Sequence, residues 1–293
     1  MERKNFYSKV LLFGEYGIIS NSNALSVPFK KFYGYLQKSN TLNKNQKYSN
    51  HKLIELCDFI SNNSINDQID IQSLKNDLES GLNFSSNIPI SSGIGSSGAL
   101  VASIFQNYSI TDINSLQIED IKNILSNIES KFHGKSSGLD PLVSYYSKPI
   151  LFSNQKITLL DDIDYKNFRI YLIDSNINSS TKEMIEIFNN KMHSNNFSIF
   201  FNDVFISRTN RCIDDLLNNQ SSFKDSIKEL SEITFENFQE MIPNEIKEKW
   251  EYGLKTNSYF IKLCGSGGGG FFTVFNFEDQ LSSNLSGFKS FQV

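Results

Sequence analysis

Two carboxylates flank a turn-forming segment in the middle of this chain. Glu129 precedes and Asp140 follows the sequence HGKSSG, whose Gly and Ser residues favour a turn that folds the chain back. A carboxylate at a helix end and another just past a glycine turn could therefore face one pocket. The first could then hold a metal ion, and the second could take a proton from a hydroxyl. The alternative is a pair of unconnected surface acids.

A loop of small residues lies upstream of these acids. Residues 88–100 read IPISSGIGSSGAL and set Gly93 and Gly95 between a short extended segment and an apolar helix. Glycine lets the backbone approach a ligand closely, and the helix that follows offers N–H groups and a positive dipole end to an anion. The loop lacks the GK[ST] ending of a Walker A loop and the three-glycine dinucleotide fingerprint. It predicts a phosphate site, unless Ser96 or Ser97 only caps an ordinary helix.

Residues near both ends of the chain could complete such a site. Lys9 lies in the apolar segment KVLLF, where a buried ammonium needs a partner unless the side chain reaches solvent at a sheet edge. The segment CGSGGGGFF, residues 264–272, has four consecutive glycines between predicted strands. Because each glycine costs about 0.5–1 kcal/mol relative to Ala, the run indicates close backbone approach to a ligand or to another loop. A flexible surface hairpin is the alternative.

Composition argues against several other classes of protein. The 293 residues carry a net charge of −4, which predicts no nucleic-acid partner. There is no apolar run of about 18 residues for a membrane span and no apolar signal region at the N-terminus, so we expect a cytoplasmic protein without a membrane partner. The three cysteines are scattered without a CxxC pair, which argues against a disulfide framework or a zinc site.

Hydrophobic spacing predicts the elements that position these residues. Residues 9–13 are typical of a buried strand, and the polar stretch 39–50 is typical of a loop. The apolar positions of 118–132 follow the i, i+3, i+4, i+7 template, which places Glu129 at the margin between core and solvent. Further helices are predicted at 51–60, 69–82, 181–188, 196–217 and 223–241, with strands at 168–174 and on both sides of the glycine run. The pattern changes near residue 155, which predicts domains 1–155 and 156–293.

The segments described above resemble motifs of the GHMP kinases, which include galactokinase, homoserine kinase, mevalonate kinase and phosphomevalonate kinase. KVLLFGE at 9–15 is similar to the opening motif, PISSGIGSSGA at 89–99 to the PxxxGLGSSAA loop, and KLCGSGGGG at 262–270 to the glycine-rich third motif. Within the family, Glu129 followed by HGKSSGLD at 133–140 is similar to the mevalonate kinase pattern of a Glu four residues ahead of HGxPSGxD. The resemblance covers nearly the whole chain.

The chain also departs from the family pattern at several positions. A Tyr-Ser pair at 7–8 replaces the usual Pro-Gly, Ser91 replaces a loop glycine, and Ser136 replaces the proline of HGxPSG. Tyr16 stands where mevalonate kinases have a His that helps to bind substrate, and the sequence GEY is closer to phosphomevalonate kinases. These differences bear on the substrate more than on the fold.

The resemblance implies an α+β class with the two-domain GHMP kinase fold. Its N-terminal domain would be ribosomal protein S5 domain 2-like and its C-terminal domain ferredoxin-like. Ser97 and Glu129 would hold Mg²⁺, Asp140 would accept the proton of a primary hydroxyl, and Lys9 would offset the developing alkoxide charge. The loop that wraps the ATP phosphates would comprise Ser91, Ser92, Gly93, Ile94, Gly95, Ser96 and Ser97. Substrate contacts would come from Glu15, Tyr16, Gly265, Ser266 and Gly267.

The expected function is therefore that of an ATP-dependent kinase that phosphorylates a primary alcohol. Mevalonate is the first candidate, which would give 5-phosphomevalonate in isoprenoid biosynthesis. The alternatives are a phosphomevalonate or sugar kinase of the same family and a non-catalytic nucleotide-binding relative. A dinucleotide-dependent oxidoreductase fits least, because the βαβ alternation and the ribose-binding acid are missing. A homodimer stays open from the sequence.

Overall fold

The chain forms two compact units in a computed structural model that describes residues 3–20, 22–63, 65–89, 93–112 and 115–293. Within these ranges, the first unit comprises the segment ending at Lys9 together with Pro28–Pro89 and Gly95–Lys148, and the second comprises Val10–Val27, residues 93–94 and Pro149–Val293. Both units contain helices and strands, so the predicted α+β class is confirmed. Because the units interleave along the chain, a single domain boundary near residue 155 stays a prediction.

One sheet contains the first strands of the chain. Its order is β1-β2-β4-β5, and β3 also pairs with β2. The long strand β2 pairs antiparallel with β3 through its C-terminal part and with β4 through its N-terminal part. The predicted strand at 9–13 is the second half of β1. The strands are β1 (Phe6–Phe13), β2 (Ala24–Lys38), β3 (Leu82–Ser86), β4 (Ile150–Ser153) and β5 (Lys156–Leu159).

The first unit also contains five α-helices in the described ranges, and one of them begins earlier than predicted. Helix α1 begins at Lys44, so the predicted loop 39–50 is wrong in its second half. The reason is a capping box, in which Asn43 accepts from the backbone of Gln46 and the Gln46 side chain bonds back to the Asn43 backbone. The helices are α1 (Lys44–Ser61), α2 (Ile71–Glu79), α3 (Ser96–Tyr108), α4 (Ile118–His133) and α5 (Leu139–Tyr146).

The second unit contains an antiparallel sheet of order β7-β8-β6-β9. This order, in which β8 lies between β6 and β7, is the ferredoxin-like arrangement expected for the C-terminal part of the chain. The predicted strands on both sides of the glycine run are confirmed as β7 and β8. The strands are β6 (Arg169–Asp174), β7 (Tyr259–Leu263), β8 (Phe271–Asn276) and β9 (Lys289–Gln292).

The helices of the second unit follow the predicted segments with two exceptions, of which the first is α10 (Asn244–Thr256), where no helix was predicted. The Ser180 hydroxyl caps α6 by accepting from the Glu183 backbone N–H. The segment predicted as a helix over 196–217 is divided, because a π-helical turn at Phe200–Phe205 separates α7 from α8. None of the helices in the described ranges is long and apolar enough to cross a membrane. The helices are α6 (Thr181–Met192), α7 (Asn195–Ile199), α8 (Ile206–Leu217), α9 (Phe223–Asn237) and α10 (Asn244–Thr256).

The core of the second unit depends on Trp250 of α10. This side chain is fully buried, and its indole N–H donates to the Ser231 hydroxyl at 2.7 Å. We expect Trp250→Ala to lower the free energy of unfolding by about 3–5 kcal/mol, because it leaves a cavity and removes this hydrogen bond. Urea unfolding would measure the change. As a control, Tyr252→Ala on the same helix removes a half-exposed ring and should lower the free energy of unfolding by less than about 1 kcal/mol. Equal losses in the two variants would contradict the role of Trp250 in the core.

Candidate functional site

The end of the small-residue loop forms the start of α3. Gly95 is the N-cap residue with φ +80°, a conformation that glycine adopts readily, so the cap position carries no side chain. The first bond of the helix ladder runs from Ala99 N–H to the Gly95 carbonyl at 3.1 Å. The hydroxyls of Ser96 and Ser97 therefore do not occupy the N-cap position. Two further predicted loop residues, Ser91 and Ser92, lie outside the described residues.

Lys9 and Asp140 form an ion pair in the first unit. The Lys9 Nζ lies 3.0 Å from Asp140 Oδ2, with the lysine side chain 5% and the aspartate side chain 36% exposed. Lys9 is thus buried against a partner, and the alternative of an edge lysine that reaches solvent does not hold. A Cβ added to Gly95 would lie 2.9 Å from Lys9 Cγ, so the absence of a side chain there leaves room for the lysine stem.

Asp140 lies in the first turn of α5, immediately after the glycine turn. Gly138 is the N-cap of α5 with φ +75°. On the facing helix α3, a Cβ added to Gly98 would lie 2.9 Å from the Asp140 carbonyl carbon. The glycine at position 98 therefore lets the start of α3 pack against the start of α5. No role was predicted for Gly98, although it lies inside the GSSGA stretch.

Glu129 is more deeply buried than its position on the helical stripe predicts. Only 3% of the residue is exposed, so the predicted margin between core and solvent is wrong. Its Oε1 accepts from the Ser97 hydroxyl at 3.0 Å, and its Oε2 accepts a short hydrogen bond from the Ser136 hydroxyl. The physical reason for the burial is that the chain after α4 returns over the helix, where the Ser126 hydroxyl donates to the Ser136 carbonyl at 2.7 Å.

These contacts define a carboxylate cluster of Lys9, Ser97, Glu129, Ser136 and Asp140. Burial raises the pKa of Glu129 to about 7, and the nearby charge of Asp140 adds to the rise. Hydrogen bonds from Ser136 and Ser97 and the charge of Lys9 act in the opposite direction. The structure thus brings together the predicted metal ligands, base and cation of the first unit.

The raised pKa of Glu129 predicts a pH-dependent stability in the absence of metal. The folded protein holds this proton up to about pH 7, whereas the unfolded chain releases it near its ordinary value of 4.5. The free energy of unfolding should therefore fall as pH rises from about 5 to 8, because the unfolded state binds fewer protons in that window. Urea unfolding in EDTA across this range would measure the slope. Glu129→Gln should flatten it, and an unchanged slope in that variant would contradict the assignment.

A second group of predicted residues lies in the second unit. Lys262 Nζ lies 2.5 Å from Glu15 Oε2, and both side chains are buried. The same ammonium donates to the Leu263 carbonyl at 3.1 Å and lies 5.8 Å from the centre of the Phe13 ring. Glu15 is therefore held as one half of a buried ion pair. Lys262 begins the KLCGSGGGG segment, but no role was predicted for it.

Tyr16 contacts the third motif within this unit. Its hydroxyl donates to the Ser266 carbonyl at 2.6 Å, and its ring stacks on Phe188 at 4.4 Å between centroids. Burial, together with the neighbouring charge of Glu15, raises the pKa of the Tyr16 hydroxyl well above its usual range. The structure thus joins two predicted substrate residues to each other through the Tyr16 hydroxyl.

The glycine run lies against other parts of the second unit. Gly268 N–H donates to the Met241 carbonyl at 2.7 Å, and Gly270 N–H donates to the Ile177 carbonyl at 2.8 Å. At its start, a Cβ added to Gly265 would lie 3.8 Å from the Gly93 Cα. Of the alternatives left open by the sequence, these contacts support close approach to other backbone and not a flexible hairpin.

Comparison with known proteins gives one family match. Residues 64–148, which include α3, Glu129 and Asp140, match the family described as GHMP kinases N terminal domain. This segment is therefore similar to the N-terminal domain of the GHMP kinases. No curated protein matches it in sequence.

The GHMP kinase fold extends over the whole chain. Mevalonate kinase of Methanococcus jannaschii is 18% identical with a TM-score of 0.68, over 99% of this chain and 97% of that one. Streptococcus pneumoniae phosphomevalonate kinase in complex with phosphomevalonate and AMPPNP is 13% identical with a TM-score of 0.66, over all of both chains. Lactococcus lactis galactokinase complexed with galactose is 12% identical with a TM-score of 0.61, over 100% of this chain and 92% of that one. The resemblance to GHMP kinases and the two-domain GHMP fold are thereby confirmed.

Proposed function

We propose that this protein is an ATP-dependent kinase that transfers the γ-phosphoryl group to a primary alcohol, with mevalonate as the first candidate acceptor. The observation that carries the proposal is the carboxylate cluster. In it, a partly exposed Asp140 is paired with a buried Lys9 beside the hydrogen-bonded Ser97 and Glu129. Such a base, cation and metal-binding pair are the groups that phosphoryl transfer requires.

Asp140 is the base in this proposal. Its side chain is the accessible half of the ion pair, so a substrate hydroxyl can reach it while Lys9 stays buried. Asp140 takes the proton of the hydroxyl as the oxygen attacks the γ-phosphorus, and the bond from this phosphorus to the β-phosphate oxygen breaks, so that ADP leaves. The Lys9 ammonium, 3.0 Å from Asp140, stabilises the negative charge that develops on that oxygen.

The ATP phosphates are assigned to the loop that ends at the start of α3. The proposed contacts are those predicted from the sequence at residues 91–97. The helix supports the assignment because α3 is 13 residues long and its N-terminal N–H groups and dipole favour an anion. Gly93 and Gly95 both have positive φ, which allows backbone N–H groups to turn toward a phosphate. The bound AMPPNP of the Streptococcus pneumoniae enzyme agrees with an ATP substrate.

Ser97 and Glu129 fit a magnesium ion. A hydroxyl and a carboxylate are oxygen donors of the kind that Mg²⁺ prefers, and at nucleotide sites Mg²⁺ takes few protein ligands. The fit is supported by the burial that raises the pKa of Glu129, since a cation beside this carboxylate would offset the cost of its charge. When bound, Mg²⁺ would neutralise charge on the β- and γ-phosphates.

The acceptor is proposed to be an alcohol without a phosphate of its own. A phosphorylated substrate requires additional cations in its pocket. In the described part of the chain, however, the lysine of the carboxylate cluster and the lysine beside Glu15 are each paired already. Lys9 is paired with Asp140, and Lys262 is paired with Glu15. This pairing favours mevalonate over phosphomevalonate. The proposed substrate contacts remain Glu15, Tyr16, Gly265, Ser266 and Gly267.

An ADP-release assay with Mg-ATP and a panel of alcohols tests the proposal. The panel comprises mevalonate, phosphomevalonate, galactose and homoserine, and we expect mevalonate to give the highest kcat/KM. A higher kcat/KM for phosphomevalonate or galactose would overturn the acceptor assignment and leave the kinase chemistry. ATP binding without ADP release on any alcohol would instead favour a non-catalytic nucleotide-binding relative.

A further inference from the structure

We infer that Ser136 is a positioning residue for the carboxylate of Glu129. It fixes one oxygen of that carboxylate and leaves the other on the side of Ser97. The inference rests on the proposed function, in which Ser97 and Glu129 hold Mg²⁺. It gives a role to a residue that otherwise stands only as a departure from the family's proline.

The hydrogen bonds of the Ser136 hydroxyl fix the direction of its proton. The hydroxyl oxygen accepts from the Gly138 N–H at 3.0 Å. A serine hydroxyl has a single proton to donate, and this proton goes to Glu129 Oε2 in a short hydrogen bond. Ser136 therefore connects the glycine turn before α5 directly to the buried carboxylate on α4.

The backbone of Ser136 is also fixed to α4. Its carbonyl accepts from the Ser126 hydroxyl at 2.7 Å, and Ser126 lies one helical turn before Glu129. The returning segment is thus held to the same helix at two points, once through Ser126 and once through Glu129. Because both contacts come from α4, Ser136 moves with the helix that carries the carboxylate.

The two oxygens of Glu129 consequently have different surroundings. Oε2 is held by Ser136, whereas Oε1 accepts from the Ser97 hydroxyl at 3.0 Å. The terminal torsion of a glutamate is broad, so a carboxylate without the Ser136 contact can rotate away from Ser97. We therefore assign Oε1 as the oxygen that faces the cation and Ser136 as the group that holds it there. Loss of such an outer-shell partner reduces metal affinity by about 10–100-fold.

Proline at position 136, as in the family pattern, has no hydroxyl and cannot make this contact. The anchoring of Glu129 through Oε2 is thus a property of this chain's own sequence. A threonine at this position keeps the hydroxyl, whereas alanine and cysteine remove it or weaken it as a donor.

Binding of Mn²⁺ to the protein–ADP complex, followed by electron paramagnetic resonance, tests the inference without using turnover. We expect Ser136→Ala to weaken Mn²⁺ binding about 10-fold or more and Ser136→Thr to stay within about 3-fold of wild type. ADP affinity in EDTA should be unchanged in both variants. Ser130→Ala is the matched control, because Ser130 adjoins Glu129 but donates only to the Asn127 carbonyl of its own helix.

The outcomes distinguish this inference from the proposed function. Wild-type Mn²⁺ affinity in a folded Ser136→Ala variant would overturn the role of Ser136 and leave the kinase assignment standing. If the wild-type protein binds ADP but no Mn²⁺, the proposed metal pair fails and the inference fails with it. Thermal unfolding shows whether Ser136→Ala is folded. If it is not, Ser136→Cys, which has nearly the same shape and a weak donor, carries the same expectation.

Discussion

An Asp140→Asn variant is expected to lower kcat by about 10²–10⁴-fold, because the amide cannot accept the proton of the substrate hydroxyl. Asparagine has the same shape, so the packing of α5 against Gly98 of α3 should be retained. ATP affinity should change by less than about threefold, since the phosphates are assigned to the loop and not to this carboxylate. Steady-state kinetics would measure kcat, and isothermal titration calorimetry would measure ATP binding.

A matched control for this variant is Asp120→Asn. Asp120 lies in the first turn of α4, the helix that carries Glu129, and it is exposed. Its neutralisation should leave kcat within about twofold of wild type, since surface substitutions usually have small effects. Near-normal turnover in Asp140→Asn would mean that another group accepts the proton. The base assignment would then be wrong.

Lys9→Met should have the second largest effect. Methionine keeps much of the stem that packs beside Gly95 and removes the ammonium that lies 3.0 Å from Asp140. We expect kcat to fall by about 10²–10³-fold, comparable to removal of one preorganised donor that stabilises transition-state charge. The loss should be smaller when Asp140 is already asparagine, because the two residues act as a unit. Steady-state kinetics on both single variants and the double variant would measure this coupling.

The control for Lys9 is Lys31→Met. Lys31 lies on β2 with an exposed side chain, so its charge is not close to a buried partner as that of Lys9 is. Its kcat should match that of wild type. A loss of less than about threefold in a folded Lys9→Met variant would show that Lys9 is a structural cation. Additive losses in the double variant would likewise contradict a shared role with Asp140.

Much of the fold could be predicted because local signals agree with the tertiary structure. The apolar stripe on α4 is buried at Ile121, Ile124, Leu125 and Ile128, as its spacing predicts. The N-cap of α6 could be predicted only as Ser180 or Thr181, and the structure places it at Ser180. The start of α1 was missed because its first turns are polar, and the Asn43–Gln46 capping box outweighed the absence of periodicity. The π-helical turn at Phe200–Phe205 has no signal in the apolar spacing.

The carboxylate cluster could be predicted only in part. The turn chemistry between Glu129 and Asp140 indicated that the two acids could approach each other, and the charge of Asp140 does raise the pKa of Glu129. The full burial of Glu129 could not be predicted, because it depends on a segment that returns over α4 after the turn. The sequence shows a serine at position 136, where the family pattern has proline. That difference was the signal that could have indicated the hydrogen bonds of the Ser136 hydroxyl to Glu129 and Gly138.

Long-range contacts account for what the sequence could not indicate in the second unit. Tyr16 was interpreted as a substrate residue because it stands where mevalonate kinases have a His that helps to bind substrate. Its hydroxyl bond to the Ser266 carbonyl joins residues 250 positions apart and cannot be inferred from local spacing. The same holds for the Glu15–Lys262 ion pair, which joins the opening motif to the third motif. The roles of Glu15, Tyr16 and Ser266 toward a substrate remain predictions.

We propose that this protein transfers the γ-phosphoryl group of ATP to the hydroxyl of an alcohol. The most direct measurement is ³¹P NMR of the purified protein with mevalonate and Mg-ATP, with Asp140→Asn as the matched sample. We predict a phosphomonoester signal that grows in proportion to ADP in the wild-type sample and is nearly absent with Asp140→Asn. ADP without a phosphomonoester, or the same signal in both samples, would contradict the claim.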